Sequence, residues 1–157
     1  MNKAYRAKQY RKKIEEDKDI SITHASYALY FHLVWSAKKR FQLITDLIMG
    51  KLELLLKKKC EQLKVHLLEV GINPEHVHNV ISLKPTHYIP EVVKELKGFS
   101  SHEINKKQDD FIKWARGYDI RTVSQKNLQA AINYVKNQKR HHTGDQDIRT
   151  RPEPNLS

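Results

Sequence analysis

Two short apolar runs with a tight connection between them constrain this chain more than any other feature. "VHLLEVGI" ends in Gly71-Ile72-Asn73-Pro74, and "HVHNVISL" begins at His76. Runs of this length bounded by turn residues read as neighbouring antiparallel strands. The elements on either side then set the layout. Upstream, "SYALYFHLVWS" (26–36) is rich in aromatic and β-branched residues and reads as a buried strand. It is followed by "TDLIMGKLELLLKKKCEQL", in which Leu47, Ile48, Leu52, Leu55, Leu56 and Leu63 recur at helical spacing behind Thr45 or Asp46 as N-cap. Downstream, Pro90 suits the first turn of "PEVVKELKGFSSHEIN", whose Val92, Val93, Leu96 and Phe99 make an apolar face that Gly98 weakens locally. "GYDIRTV" reads as another strand, and Ser124 or Asn127 caps a last helix, "NLQAAINYVKNQKRHH". Strand, helix, strand, strand, helix, strand, helix predicts an α+β class. The fold expected is ferredoxin-like: a split βαβ, RRM-like antiparallel sheet with helices on one face and an extra C-terminal helix.

A chain of 157 residues fits one ordinary domain, expected here over 26–143. Residues 1–25 mix Lys, Arg, Glu and Asp with few large apolar residues and read as a basic, mixed-charge arm, and 144–157 reads as a disordered tail. Lys and Arg number 29 against 18 acidic residues, a formal charge of +11, which favours a polyanionic partner and nucleic acid first. No run approaches the roughly 18 apolar residues of a spanning helix, and "MNKAYRAKQYRKK" lacks an apolar signal region. The expectation is a soluble, cytoplasmic protein with no membrane partner. The single cysteine, Cys60, rules out an intrachain disulfide framework and reads as a buried spectator.

Within the second strand of the pair, alternation puts His76, His78, Val80 and Ser82 on one face and Val77, Asn79, Ile81 and Leu83 on the other. Both imidazoles point the same way. With nine histidines in the chain, one His-x-His is close to chance, so the pair needs a partner elsewhere. The last helix offers one. Tyr134 and Gln138 lie four apart on one helical face, with His142 on roughly the same side, and the apolar stripe of Leu128, Ala131, Ile132 and Val135 is rotated away from them.

From about Tyr30 to His142 the chain resembles the HUH-class single-tyrosine transposases of the smallest bacterial and archaeal insertion sequences, often called TnpA. "FHLVWSAKKR" looks like that family's first strand and basic turn, and "EHVH" like its His-hydrophobic-His motif. "LKGFSS" and "WARGYDIRTV" look like its second helix and last strand, and "YVKNQKRHH" like its nucleophile helix. The resemblance implies that His76, His78 and Gln138 bind a divalent cation, Mg²⁺ or Mn²⁺, and that Tyr134 attacks a phosphodiester of single-stranded DNA through a 5′-phosphotyrosine. It also implies a homodimer that recognises hairpin ends of an element, in the cytoplasm of a bacterium or archaeon. Lys38, Lys39 and Arg40 follow the first strand, and Lys94, Lys97, Arg116 and Arg121 are further candidates for phosphate contact. Tyr118 and Trp114 are candidates for base stacking, with core packing the simpler role for Trp114.

The pattern departs from the family at two residues, and the N-terminal arm is longer than usual for it. Asn79 stands where an apolar residue is usual, and Ser124 where a glycine usually follows "TV". These keep a second reading open, a non-catalytic, domesticated nucleic-acid-binding protein of the same fold. The sequence leaves it open whether the last helix serves its own subunit's histidines or a partner's.

Overall fold

The computed structural model describes residues 26–38, 44–106 and 111–138. The expected arm and tail, together with Lys39, Arg40 and His142, lie outside them. The elements are β1 (Tyr30–Ser36), α1 (Asp46–Gln62), β2 (His66–Ile72), β3 (His76–Ser82), α2 (Ile89–Asn105), β4 (Asp119–Val123) and α3 (Leu128–Gln138), with a 3₁₀ turn at Gln125–Asn127 before the last helix. Four strands form one sheet in the order β2-β3-β1-β4, and every neighbouring pair is antiparallel. This is the ferredoxin-like arrangement that the order of elements predicts.

Local chemistry explains the helix starts. Thr45 Oγ1 accepts the Ile48 N–H at 3.4 Å, so Thr45 rather than Asp46 is the N-cap of α1. Pro90 lies in the first turn of α2, where a missing N–H costs nothing. Ser124 accepts from the Asn127 N–H and opens the turn that leads into α3.

The sheet has two unlike faces. On one, Leu33 and Trp35 of β1, Val77 and Ile81 of β3, and Val70 and Ile72 of β2 pack against Ile48, Leu52 and Leu56 of α1 and Val92, Val93 and Leu96 of α2. This is the main core. Trp114 belongs to its edge: its ring meets Trp35 at 5.9 Å, edge to face, and its Nε1 donates to the Lys97 carbonyl and to Ser100 Oγ. Asn79 is buried in the same layer, 1 % exposed, and its Nδ2 donates to the Leu33 carbonyl at 3.4 Å. The polar side chain therefore has a partner in the neighbouring strand, which offsets the cost of burying it.

A bulge in β2 decides which face each of its residues takes. Leu67 pairs with Ile81, but Glu69 pairs with Val80 and Val70 with Asn79, so Leu68 is an extra residue in the ladder. Without it, strict alternation would put Leu67 and Gly71 on one face. With it, Leu67, Val70 and Ile72 all serve the main core, and Gly71 pairs with His78 on the opposite face. The connection to β3 is Asn73 to Glu75: the Asn73 N–H donates to the His76 carbonyl, and Asn73 Oδ1 accepts from the backbone N–H groups of Glu75 and His76. Gly71 is thus a strand residue and not part of the turn that the sequence suggests.

Among the described residues no helix is long and apolar enough to cross a membrane. Cys60 faces the main core, and burial pushes its thiol up to about 12. At pH 8 the folded protein should hold roughly a thousandfold less thiolate than the unfolded chain. Alkylation by iodoacetamide, followed by mass, is expected to be negligible in buffer and complete in denaturant; rapid labelling in buffer would contradict this packing.

Candidate active site

The second face of the sheet carries the histidines. In the β1–β3 ladder Val34 pairs with His78, and His32 pairs with Val80, while in β1–β4 His32 pairs with Arg121 and Val34 with Asp119. Paired residues share a face, so His32, His76, His78 and Arg121 all stand on this side. The two motif histidines share a face as alternation predicts, with ring centroids 6.2 Å apart. His76 is half-buried and His78 is buried at 6 % exposure.

Helix α3 lies across β2 and β3 on this same face. Ala131 and Val135 pack with Val80 and Val123, flanked by Tyr30, Leu68, Leu128, Ile132 and Tyr134. This second core is small, so close contact at one further place matters. A Cβ built on Gly71 would lie 2.3 Å from the Val135 carbonyl oxygen and 3.2 Å from Gln138 Cβ. Only a residue without a side chain lets the helix backbone settle on the strand there. Because Gly71 is the cross-strand partner of His78, this contact sets the end of α3 beside the histidines.

The phenol follows from that seat. The Tyr134 ring centroid lies 6.1 Å from that of His78 and 5.9 Å from that of His32, edge to face in both cases. Tyr134 is half-buried, as is Gln138, whose Cβ stands over Gly71 one strand away from His78. Tyr134 and His78 thus meet within one chain, and Gln138 Cβ stands over Gly71, the cross-strand partner of His78.

His32 is the residue that reading the sequence missed. It is 3 % exposed, its Nε2 lies 3.2 Å from His78 Nδ1, and the two rings are nearly parallel with centroids 5.4 Å apart. The available signal was a histidine between Phe31 and Leu33 in an apolar strand, since a buried imidazole requires a polar partner. Burial first, then the neighbouring His32 and His76, hold the His78 imidazole down at about 3, so it is neutral near pH 7. A neutral imidazole keeps a lone pair for a cation.

Among the described residues no three His, Cys, Asp or Glu side chains gather as a metal-binding group. Two imidazoles and a carboxamide nonetheless make a donor set that fits a divalent cation with positions left for other ligands. Mg²⁺ and Mn²⁺ favour oxygen donors, which substrate phosphates supply.

The candidate DNA contacts divide between the two sides of the sheet. Arg121 is exposed on the histidine face, where its Nε also reaches Asp119 Oδ2 at 3.0 Å. Lys94 and Lys97 belong to α2, in the helical layer behind the sheet. Lys97 donates to the carbonyls of Ala115 and Gly117 at 2.9 and 2.8 Å and so holds the loop before β4, and burial lowers its pKa. Its ammonium already has a structural task. Lys38 and Arg116 are exposed, Lys38 just past β1 and Arg116 on the loop before β4. Tyr118 is exposed on the loop before β4.

A ferredoxin-like sheet with a His-hydrophobic-His strand and a tyrosine helix laid over it defines a protein of the HUH tyrosine-transposase class. Residues 25–138 match the family model described as "Transposase IS200 like", and the chain belongs to that family. It is 29% identical over 119 residues to the ISDra2 transposase TnpA of Deinococcus radiodurans, covering 71% of this chain and 85% of that protein. It is 28% identical over 125 residues to the transposase for insertion sequence element IS200 of Salmonella typhimurium, covering 75% and 82%. Among solved structures, a crystal structure of a putative transposase from Deinococcus radiodurans aligns with TM-score 0.58 and 29% identity over 73% of this chain and 94% of that one. A REP-associated tyrosine transposase bound to a REP hairpin has the same fold, with TM-score 0.55 and 19% identity over 78% and 74%.

The seat at Gly71 is directly testable. Gly71→Ala is expected to cost about 1–3 kcal/mol in urea unfolding and to speed hydrogen exchange of the α3 amides more than those of β1. Gly98→Ala, where a Cβ meets nothing within 4 Å, should instead gain about 0.5–1 kcal/mol. Equal effects at the two glycines would show that the close approach is unimportant.

Proposed function

We propose that this transposase cleaves and rejoins single-stranded DNA with Tyr134 as nucleophile and with a divalent cation, Mg²⁺ or Mn²⁺, held by His76, His78 and Gln138. The single observation that carries the reading is the meeting of the Tyr134 ring with His78 at 6.1 Å on one face of the sheet. The phenolic oxygen attacks phosphorus and the bond from phosphorus to the 3′-oxygen breaks, leaving a 5′-phosphotyrosine and a free 3′-hydroxyl. The proton lost by the phenol balances the one taken up by the departing oxygen. A later attack by another 3′-hydroxyl reverses the exchange and joins new strands, so the number of phosphodiester-type bonds is conserved and no ATP is required.

An unperturbed phenol, with a pKa of about 10, is a weak nucleophile near pH 7, so its target needs help. The cation would supply charge neutralisation at the attacked phosphate. The imidazoles of His76 and His78 and the amide oxygen of Gln138 would fix its position, and the α3 backbone resting on Gly71 would aim the phenol. Arg121, on the same face, would contact a flanking phosphate. Lys38, Lys39, Arg40, Lys94 and Arg116 would hold hairpin stems through the backbone, and Lys97, with two of its three N–H donors on loop carbonyls, would offer the third. The hairpin bound by the REP-associated relative supports hairpin ends as the DNA form recognised here. A homodimer, working in the cytoplasm of a bacterium or archaeon, completes the proposal.

The test uses a labelled single strand carrying the imperfect palindromes that flank the gene, incubated with the protein and Mn²⁺. A denaturant-resistant adduct is expected that disappears with Tyr134→Phe and with EDTA. Salt-sensitive binding with no adduct under any of these conditions would instead identify the non-catalytic nucleic-acid-binding alternative.

A further inference from the structure

We infer that His32 is a positioning residue that fixes the tautomer of His78 and braces Tyr134, and so couples the cation site to the nucleophile. The inference rests on the reading of His76 and His78 as cation ligands. One nitrogen of each ring meets across 3.2 Å, His32 Nε2 against His78 Nδ1, and a hydrogen bond between these two nitrogens carries one hydrogen.

There are two ways to place it. If His32 donates, the hydrogen of His78 sits on Nε2 and that nitrogen has no lone pair to offer. If His78 donates from Nδ1, its Nε2 lone pair is available and His32 carries its own hydrogen on Nδ1. Cation binding through His78 Nε2 therefore requires His32 Nε2 to be the acceptor. This is the service that carbonyls and carboxylates give to ligating histidines elsewhere, performed here by a second imidazole.

Position gives His32 a second contact. It projects from β1 between the ladder partners Val80 and Arg121, in the middle of the sheet. Its ring lies 5.4 Å from that of His78 and 5.9 Å from that of Tyr134, by centroid, and it is almost completely buried. A shift of His32 moves the ligand and the nucleophile together.

The effect is read on cation binding, without DNA, by the electron paramagnetic resonance signal of free Mn²⁺ in titrations of the wild-type protein and three variants. His32→Phe keeps a flat ring and loses the acceptor, and it should weaken Mn²⁺ binding about 10–100-fold. His32→Gln, whose amide oxygen falls near the position of Nε2, should recover most of that loss, which a purely structural role would not produce. His76→Ala should abolish saturable binding. Wild-type protein without saturable binding would overturn the cation reading itself, whereas wild-type affinity in folded His32→Phe would overturn the role of His32 alone. Where His32→Phe does not fold, the wild-type protein saturated with diamagnetic Mg²⁺ decides through long-range ¹H–¹⁵N correlations of its imidazoles. Hydrogens on Nδ1 of both His32 and His78 are expected; a hydrogen on Nε2 of His78 would overturn the inference.

Discussion

The whole site depends on one backbone-to-backbone approach, α3 resting on β2 at Gly71. The carbonyl of Val135 occupies the space that any Cβ at residue 71 would need. The apolar cluster beneath the helix is limited, with Val80, Val123, Ala131 and Val135 as its buried members, and each buried valine contributes about 1.5–3 kcal/mol at most. Orientation comes from the glycine, because it lets the helix lie low enough for the Tyr134 ring to reach the histidine rings. The bulge at Leu68 is part of the same arrangement, since it rotates Gly71 onto the histidine side while keeping Val70 and Ile72 in the main core. A local irregularity of one strand thereby sets the geometry of a site built from three other elements.

The two faces divide the labour of the sheet. The face that holds α1 and α2 carries most of the buried apolar residues, and the buried polar residues Asn79 and Ser100 are hydrogen-bonded inside it. The opposite face keeps polar groups in its middle, His32, His78 and Tyr134, packed ring to ring. Burying three such rings is unfavourable unless they satisfy one another, and the 3.2 Å contact between the imidazoles is part of how they do so. Polar groups retained in a partly buried cluster are where function is expected to depart from packing rules.

Much of this was legible in the chain itself. Period-two alternation put His76 and His78 on one face, helical spacing put Tyr134 and Gln138 on one face, and the order of elements gave the sheet. Local signals cannot reveal which strand lies beside which residue, and here the reading fell short. His32 gains its meaning only when Val34 is known to pair with His78, a relation across 44 residues of sequence. Gly71 looked like a turn residue because it precedes Asn73-Pro74, and only the bulge reassigns it. Lys97 looked like a surface cation, yet tertiary contact gives it two carbonyls to hold. In each case the missing information was a long-range pairing that periodicity does not encode.

The phenol of α3 and the imidazoles of the sheet form one cluster in the protein by itself. Protein carrying protonated tyrosine and histidine rings in a deuterated background makes those ring contacts visible as nuclear Overhauser effects in solution. Cross-peaks from the Tyr134 ring to the rings of both His78 and His32 are predicted, alongside one between His32 and His78. A spectrum that keeps the His32–His78 cross-peak but shows none from Tyr134 to either would contradict this, because the sheet would then be intact with Tyr134 elsewhere.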